Sequence, residues 1–437
     1  MALVAAVAVV VAAVVVFATG ALGGRHSAAG GTAAGGNGGG GSSGATKPGG
    51  TGHGHGGGVG GSGITAVSAG IGLAPGATSP SAAGIAAAMA ALPKLSTLQL
   101  AGQRVIYSYS GMTPPASLLW LIRHGEVAGV IFFTDNIGTT PADLANFKSV
   151  VSRLQAADQA STNPVRAPLL MMTDQEGGLV RRLPGRPDKS EKQVGLSANP
   201  VGAATTAGRG AAANLRSYGL NVNLAPVLDV FRKPGDFIDE FQRSYSNNPQ
   251  VAAKLGTAFI KAQQAGGVAA TAKHFPGLGA ATRSQNTDQG PVTQKLALSQ
   301  IRTIDEVPYQ SAIPAGVKLV MVSWATYPAL DPRYPAGLSA TIVQGELRQR
   351  LKFGGVTITD ALEANGLENF GTTANRATLA VKAGMDLLLC AAEQDQQGDA
   401  AMHALNAYYL AASPSARAAF KAAAERVIAL RMTLAGG

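Results

Sequence analysis

Short apolar runs alternate with longer alanine-rich stretches along most of this chain. The runs are rich in β-branched and large aliphatic residues, and the stretches between them carry apolar residues at helical spacing. Alternation of this kind is typical of βα units built around a parallel sheet. Eight runs are present, and they start near Arg104, Gly129, Leu169, Val222, Val268, Leu319, Val356 and Asp386.

Eight strand and helix units predict an α/β fold, a single (β/α)8 barrel of the TIM type. One connecting helix is predicted in detail: Thr140 can cap it, Pro141 is its first residue, and Val151 and Leu154 share one face. The segment after Ser415 predicts a final helix. A Rossmann-like sheet is the alternative, but no glycine-rich fingerprint accompanies these runs. The pattern therefore favours the barrel.

Polar residues follow several of the predicted strands directly. Barrel enzymes place their active sites at the carboxyl ends of the strands, where these side chains meet. The polar residues at such ends are Asp174, Asp229, Lys273, Ser323 and Asp360. Lys273 and His274 follow an apolar run that gives them no packing use, so we expect them to bind a ligand.

The first 84 residues differ from the rest. Residues 1–22 are uncharged and mainly apolar, about as long as a bilayer span, whereas a signal-peptide core is about 7 to 15 residues long. They predict a signal peptide or a membrane anchor. Residues 23–84 are rich in Gly, Ala and Ser and predict a disordered linker. The barrel domain then occupies residues 85–437, secreted from the cell or anchored at its envelope.

Charge and cysteine content exclude several classes of protein. The net charge is +10, but no basic run is longer than Arg181-Arg182, so no nucleic-acid partner is expected. The single Cys390 lies in an apolar run and predicts a buried thiol. Residues 58–63 match a dinucleotide-binding glycine pattern, but no strand precedes them. We therefore expect no cofactor and no metal.

Three motifs together resemble glycoside hydrolase family 3, and in particular its single-domain β-N-acetylglucosaminidase-like branch. They are Asp174-Gln175-Glu176-Gly177-Gly178, Lys273-His274-Phe275-Pro276-Gly277 and Thr359-Asp360-Ala361-Leu362. The resemblance runs from about Leu98 to Leu434. It implies a barrel enzyme that hydrolyses β-linked sugars, and the chain leaves no room for the second domain of larger members.

A retaining glycosidase needs a carboxylate that attacks the anomeric carbon and a second group that protonates the departing oxygen. Asp360 ends a predicted strand, and the small Ala361 after it leaves room for a sugar. The resemblance implies that Asp360 is the nucleophile, because the family has its nucleophilic Asp in a Thr/Ser-Asp-x-Leu segment. The alternative is that Asp360 only caps the following helix.

The resemblance also implies a set of sugar-binding side chains. Carboxylates accept hydrogen bonds from the vicinal hydroxyl groups of a sugar, and basic side chains donate hydrogen bonds to those hydroxyl groups. Asp229 matches a position with a structural role, and Glu176 is either part of the site or an ion-pair partner. The residues expected to bind substrate are Asp174, Arg182, Arg243, Lys273 and His274.

The acid/base loop departs from the family pattern. In the acetylglucosaminidase branch this loop continues His-Gly-Asp-Thr and reaches an Asp-Ser-His whose His protonates the leaving group. Here the loop reads Leu278-Gly279-Ala280-Ala281, then Asn286-Thr287-Asp288, with no His after His274. Asp288 falls where the catalytic His would be, so it is our first candidate for the acid/base.

Alternatives to this assignment remain open. Asn286 and Asp288 could simply form an Asx-type turn, with the acid absent or supplied from elsewhere. Glu363 and Glu368 are weaker candidates, since both fall in the start of a predicted helix. Trp324, at a strand end, either stacks on a sugar or packs in the core.

The sequence predicts an exported retaining exo-glycosidase that acts on terminal β-linked sugars and is a monomer. The resemblance makes N-acetylglucosamine from cell-wall glycans, including peptidoglycan fragments, the first substrate to consider. A β-glucosidase-like hydrolase is the nearest alternative, because hydroxyl-binding residues are shared. A sugar-binding protein with impaired catalysis is the other, and the altered acid/base loop motivates it.

Overall fold

The computed structural model describes residues 81–435. The predicted signal peptide or anchor, residues 1–22, and nearly all of the predicted linker lie outside these residues. The first described helix begins at Ala82, just before the predicted start of the barrel domain at residue 85. Among residues 81–435, no helix combines the length and hydrophobicity needed to cross a membrane.

Eight parallel strands form a closed barrel, which confirms the predicted fold. The first and last strands close it, because Ile106 pairs with both Gly129 and Leu389. The strands are β1 Val105–Tyr107, β2 Gly129–Ile131, β3 Leu170–Thr173, β4 Val222–Asn223, β5 Ala269–Phe275, β6 Leu319–Val322, β7 Val356–Ala361 and β8 Leu387–Leu389. Around the barrel, the order of neighbouring strands is β1-β8-β7-β6-β5-β4-β3-β2.

Helices surround the barrel and connect its strands. The α-helices are Ala82–Ala91, Thr97–Gly102, Ala116–Arg123, Thr134–Ile137, Pro141–Gln159, Glu191–Gly195, Pro200–Ser217, Phe237–Glu240, Pro249–Ala265, Leu298–Gln300, Val307–Ala312, Thr373–Ala383, Asp395–Ala411 and Pro414–Ala435. The segments Ile301–Asp305 and Thr341–Arg350 are π-helical, and Leu92–Lys94, Ala336–Leu338 and Asn365–Phe370 are 3₁₀ turns. Two small antiparallel sheets pair Gln175–Gly177 with Val180–Arg181, and Thr326–Tyr327 with Asp331–Pro335.

The helix Pro141–Gln159 forms as its sequence predicts. Thr140 Oγ1 accepts a hydrogen bond from the N–H of Asp143 at 3.2 Å, and the Asp143 carboxylate accepts one from the N–H of Thr140 at 2.9 Å. This reciprocal cap satisfies two backbone donors at the helix start. Val151 and Leu154 are buried on the face that packs against the barrel.

The alanine-rich composition reflects close packing between helices and barrel. The helices Pro200–Ser217 and Pro249–Ala265 approach so closely that a Cβ atom on Gly208 would lie 2.3 Å from the carbonyl oxygen of Phe259. Only a residue without a side chain fits at that contact. Inside the barrel a separate cluster of buried aliphatic residues, including Ile106, Leu170 and Ile358, forms the central core.

The amino end of the barrel is closed by a buried polar cluster and by the last helix. Asp386 is fully buried at the start of β8; it pairs with Arg348 and, at 2.8 Å, with Arg426. Val427 and Leu430 of the last helix join the inner core. The opposite, carboxyl end of the barrel is where the polar motifs lie.

Candidate active site

One cavity of about 320 Å³ opens at the carboxyl ends of the strands. Its floor consists of apolar residues from the strand ends, among them Ile131, Leu224, Met321 and Leu389. Its walls bring together all seven residues singled out in the sequence, which are Asp174, Arg182, Arg243, Lys273, His274, Asp288 and Asp360. Barrel topology thus gathers side chains that are far apart in the sequence.

An ion-pair network forms one side of this cavity. Lys273 Nζ lies 2.7 Å from Asp174 Oδ1 and 2.8 Å from Glu176 Oε1. Arg243 donates two hydrogen bonds of 2.8 Å to the carboxylate of Glu176. Glu176 is buried and both of its oxygens are engaged, so it is an ion-pair partner, one of the two roles that the sequence left open.

Electrostatics keeps this network charged. Burial opposes the ionisation of Glu176, but Arg243 and Lys273 outweigh it and lower the pKa of Glu176 to about 2. Burial likewise opposes the charged form of Lys273, yet Asp174 and Glu176 raise its pKa. The cavity wall therefore presents fixed, ionised donors and acceptors near neutral pH.

A further buried carboxyl, missed by the sequence analysis, lies close enough to this network to interact with it electrostatically. Glu191 Oε1 accepts a hydrogen bond of 2.8 Å from the N–H of Val227. Burial, and then the charge of Glu176, raise the pKa of Glu191 well above its ordinary value. Burial and Glu176 thus favour the neutral form of Glu191, which limits the negative charge beside Glu176. It follows Ser190 at the start of a short helix, where acidic residues are common, so the sequence carries no signal of this role.

Asp229 orients His274. Asp229 Oδ2 lies 2.7 Å from His274 Nδ1, and Oδ1 accepts hydrogen bonds from the backbone N–H groups of His274 and Leu278 at 3.2 and 2.6 Å. Asp229 is buried and thereby has the structural role expected from the sequence. This contact favours a proton on Nδ1, which leaves His274 Nε2 facing Arg243 at 3.5 Å and the cavity.

Asp174 and Arg182 are brought together by a tight hairpin. The chain turns at Gly177 and Gly178, whose φ angles of 112° and 56° are readily adopted by glycine. The N–H of Arg182 then donates to the carbonyl of Asp174 at 3.2 Å. Arg182 Nε is buried and has no hydrogen-bond partner within the described part of the chain.

Asp360 lies near the end of β7 and does not cap a helix. The following 3₁₀ turn begins only at Asn365, and Asp360 Oδ1 accepts a hydrogen bond of 2.9 Å from the N–H of Ala361. Trp324 is buried and donates from Nε1 to the carbonyl of Ala361 at 2.8 Å. Trp324 is therefore a core residue that fixes the Asp360 strand end, and stacking on a sugar is the alternative that the structure does not favour.

The loop that carries Asp288 contains the Asx-type turn and still places Asp288 in the cavity. The N–H of Asp288 donates to Asn286 Oδ1 at 2.9 Å. The loop is fixed against the segment after Asp360, because Gly366 donates to the carbonyl of Thr287 at 2.8 Å. The turn thus forms and presents Asp288 to the cavity, and the role of Asp288 as the acid/base stays a prediction.

Asp288 is exposed, and it lines the cavity, whose walls carry other charged side chains. Removal of water by these walls, and then the charge of Asp360, raise the pKa of Asp288 to about 6. Arg243 and His274 oppose this shift. Loss of water around the carboxyl group and repulsion between the two carboxylates both favour the protonated form of Asp288.

A sequence model of the glycosyl hydrolase family 3 N-terminal domain matches residues 101–430. The chain belongs to glycoside hydrolase family 3. The match covers the whole barrel, from β1 to the last helix, and therefore every residue of the cavity.

Relatives agree with this assignment. A protein of Arthroderma benhamiae described as an uncharacterized secreted glycosyl hydrolase is 49% identical over 300 residues, which cover 69% of this chain and 83% of that protein. The β-hexosaminidase A of Pseudoalteromonas piscicida is 32% identical over 340 residues, covering 69% of this chain but only 54% of the relative.

A solved structure is similar as well. The family 3 β-N-acetylglucosaminidase of Paenibacillus sp. str. FPU-7 superposes with a TM-score of 0.71 and 32% identity, covering 78% of this chain and 63% of that one. This family 3 chain is thus a glycoside hydrolase of the β-N-acetylglucosaminidase-like type.

A third carboxyl group, Glu363, lies in the same cavity of this family 3 enzyme. The sequence predicted that Glu363 lies at the start of a helix. This prediction is wrong, because Glu363 occupies the turn between β7 and the 3₁₀ segment Asn365–Phe370. Its position three residues after Asp360 was the available signal. Glu368, the other weaker candidate, is exposed and does not line the cavity.

No group of three or more His, Cys, Asp or Glu side chains within residues 81–435 is arranged to bind a metal ion. Cys390 is buried in the core, and burial raises the pKa of its thiol well above the ordinary value. Its burial agrees with the structural thiol predicted from the sequence.

Proposed function

We propose that this family 3 hydrolase is an exported, retaining exo-glycosidase that removes terminal β-linked sugars with Asp360 as its nucleophile. One observation carries the proposal: Asp360 and Asp288 line a single cavity, in which removal of water and then the charge of Asp360 raise the pKa of Asp288. Two carboxyl groups with different surroundings are what retaining hydrolysis requires.

In the first step Asp360 attacks the anomeric carbon as the bond to the leaving oxygen breaks, and Asp288 gives its proton to that oxygen. A covalent glycosyl-enzyme results. In the second step Asp288, now ionised, removes a proton from water, and the water oxygen displaces Asp360 from the anomeric carbon. Two inversions at this carbon give net retention.

The raised pKa of Asp288, about 6, suits this double role. A group that titrates near the working pH can both donate and accept the proton within one turnover. Asp360 has a firmer position, because its Oδ1 is bound by the N–H of Ala361. These differences support Asp288 as the acid/base and Asp360 as the nucleophile.

The opposite wall supplies the contacts that would bind the sugar. Asp174, Lys273 and His274 lie side by side there, already oriented by Glu176 and Asp229. Preorganised donors and acceptors of this kind bind hydroxyl groups with little loss of entropy. Arg243 completes this wall, and Arg182 lines the cavity as well, held near Asp174 by its backbone N–H.

The apolar floor of the cavity supports exo action, because a cavity that ends at a floor can take the end of a glycan but not its interior. N-acetylglucosamine is the first proposed sugar, since named relatives include a β-hexosaminidase and a β-N-acetylglucosaminidase. Cell-wall glycans and peptidoglycan fragments are the proposed source. Export is supported by the relative described as secreted, while membrane anchoring through residues 1–22 and a monomeric state stay predictions.

Hydrolysis by the purified full chain tests the proposal. The substrates are the 4-nitrophenyl β-glycosides of N-acetylglucosamine and of glucose, and the variants are Asp360→Asn and, as a matched control, Glu368→Gln in the exposed part of the same segment. We expect release of nitrophenol to be lost in Asp360→Asn and unchanged in Glu368→Gln.

The same assay separates the alternatives. A preference for the glucoside would indicate a β-glucosidase-like enzyme. If the wild type binds N-acetylglucosamine in calorimetry but hydrolyses neither glycoside, the chain is a sugar-binding protein and the proposed hydrolysis is wrong. The altered acid/base loop is the reason for testing whether the chain binds a sugar without hydrolysing it.

A further inference from the structure

Glu363 is a carboxyl group in the cavity that the proposed mechanism does not use. It lies on the wall formed by the ends of β7 and β8, beside Ala361, Leu389 and Ala391. Asp288 reaches the cavity from the loop after β5. Glu363 and Asp288 therefore come to the cavity from different segments of the barrel rim.

The position of Glu363 is fixed through one of its two oxygens. Oε2 accepts hydrogen bonds of 3.1 Å from the backbone N–H of Ala391 and from Gln397 Nε2. Gln397 is itself held, because its Oε1 accepts the N–H of Ala392 at 3.0 Å. The backbone N–H of Glu363 itself also stabilises the ionised carboxylate. The carboxylate is thus tied to the connection after β8 while it lines the cavity, where it can meet a ligand.

We propose that Glu363 is a specificity-determining residue whose carboxylate accepts a hydrogen bond from one donor of the bound sugar, a hydroxyl or an acetamido N–H. The inference rests on the proposed function, since it assumes that the cavity binds the terminal sugar. A carboxylate accepts such bonds more strongly than a neutral group does. Sugars with a carboxylate of their own would be repelled from this wall.

A role as the general acid fits this geometry less well. Both donors to Oε2 stabilise the ionised form of Glu363, although burial and then the charge of Asp360 act in the opposite direction and raise its pKa. A general acid must also approach the leaving oxygen and change protonation in each turnover. The tether from β7 to the connection after β8 instead suits a fixed acceptor.

A substitution tested against a set of modified substrates examines this role. The variants are Glu363→Ala and the conservative Glu363→Gln, with Glu368→Gln as the control on the exposed part of the same segment. The substrates are 4-nitrophenyl β-glycosides that each lack one donor, at carbon 2, 3, 4 or 6. We expect Glu363→Ala to lower kcat/KM on the parent glycoside by about 10- to 100-fold, mainly through KM.

The decisive comparison lies within the substrate set. One deoxy analogue should lose the donor that Glu363 binds, and for that analogue Glu363→Ala and wild type should be equal. Glu363→Gln should recover part of the loss on the parent glycoside. An equal loss on every analogue would show a structural role, and a loss that grows with the pKa of the leaving group would show an acid; either result overturns the inference.

Failure of the proposed function gives a different result. If the wild type hydrolyses none of the glycosides, calorimetry with N-acetylglucosamine replaces the kinetic assay. Weaker binding by Glu363→Ala than by Glu368→Gln would then support the contact even in a binding protein. Equal binding by the two variants would contradict it.

Discussion

Asp288 and Asp360 are chemically the same residue, and their surroundings set them apart. Asp360 belongs to a barrel strand, and its Oδ1 is fixed by a backbone N–H. Asp288 lies on a loop, exposed to the cavity, and repulsion from Asp360 contributes to a pKa of about 6. Their surroundings, rather than their side-chain chemistry, therefore support different proposed tasks.

Replacement of the proposed acid should depend on the leaving group. We expect Asp288→Ala to lower kcat/KM for unactivated β-glycosides by about 10² to 10⁴-fold, because general acid catalysis contributes that much. Nitrophenyl glycosides should lose less, since their leaving oxygen needs little protonation. Gln289→Ala, an exposed neighbour, is the control. Equal losses on both substrate types would argue against Asp288 as the acid.

The pH dependence follows from the same group. A general acid works when protonated, so kcat/KM for an unactivated glycoside should fall as pH rises through about 6, the pKa of Asp288 in the free enzyme. Above that pH the rate should drop about tenfold per unit. The fall of kcat/KM above this pH, the alkaline limb of the profile, should be absent in Asp288→Ala. A limb that persists unchanged in the variant would assign the titration to another residue.

At the residue scale, the sequence predicts those positions that follow a strand within a known motif. Asp174, Lys273 and Asp360 are of this type, and each lies in the cavity. For a physical reason, the sequence did not indicate Glu191 at all and indicated Glu363 only as a weaker acid candidate. Their environments depend on contacts with Gln397 and Glu176, which are distant in the sequence, and no local pattern encodes such contacts.

Elements are positioned by buried polar contacts as well as by apolar packing. Asp386 links β8 to β7 by accepting the N–H of Thr357 at 2.9 Å, and links both to the last helix through Arg426. Burial opposes ionisation of Asp386, but Arg348 and Arg426 outweigh it and lower its pKa. A charged hub thus fixes the amino end of the barrel, far from the chemistry.

Removal of this hub should destabilise the fold without changing substrate affinity. Asp386→Ala removes the buried carboxylate that pairs with the partly buried guanidinium groups of Arg348 and Arg426, so we expect a loss of about 3–5 kcal/mol in the free energy of unfolding. Urea unfolding measures it, with the half-exposed Asp399→Ala as control. A loss below about 1 kcal/mol in the free energy of unfolding would show that the ion pairs of Asp386 stabilise the fold no more than surface ion pairs do.

The lowered pKa of Asp386 determines how its contribution to stability changes with pH. Asp386 contributes stability above the unfolded pKa of about 3.9 and loses it as pH falls through the lower folded value. The stability difference between wild type and Asp386→Ala should therefore narrow only under acid conditions.

At the element scale, sequence patterns predict the strands and the longer helices well. Apolar runs and the Thr140 cap are local signals, and both correspond to observed elements. The hairpin that presents Arg182 and the turn that carries Glu363 were not predicted. Both are short and lack periodicity, so their shape comes from the glycine φ angles and from contacts across the barrel.

On the scale of the whole molecule, the first described helix is joined to the last. The helix Ala82–Ala91 precedes the family match, which begins at residue 101. It nevertheless packs with Ile428 and Ala429 of the last helix, and the N–H of Ser81 donates to Thr433 Oγ1 at 3.1 Å. The folded unit is therefore longer than the matched domain.

Deletion of residues 82–91 should lower the melting temperature, because it exposes the apolar surface around Ile428. We expect KM for the nitrophenyl glycoside to stay unchanged, as no residue of this helix lines the cavity. Differential scanning calorimetry measures the first effect. Deletion of residues 23–60 within the predicted linker is the control, and an equal drop in both variants would contradict a specific role for the helix.

The closed barrel was predictable because eight apolar runs that alternate with helical stretches leave few topologies. The long-range details were not predictable from the pattern. The pairing of Glu176 with both Arg243 and Lys273, and the presence of Asp288 in the same cavity as Asp360, arise only when the sheet closes.

The central claim is that Asp360 forms a covalent bond to the sugar. The most direct test is mass spectrometry of the full chain after reaction with an activated 5-fluoro glycosyl fluoride of N-acetylglucosamine, which slows release of the intermediate. We predict one added sugar, mapped to the peptide that contains Asp360, and none in Asp360→Asn. Normal turnover of the nitrophenyl glycoside with no adduct, or an adduct on Asp288, would contradict the account.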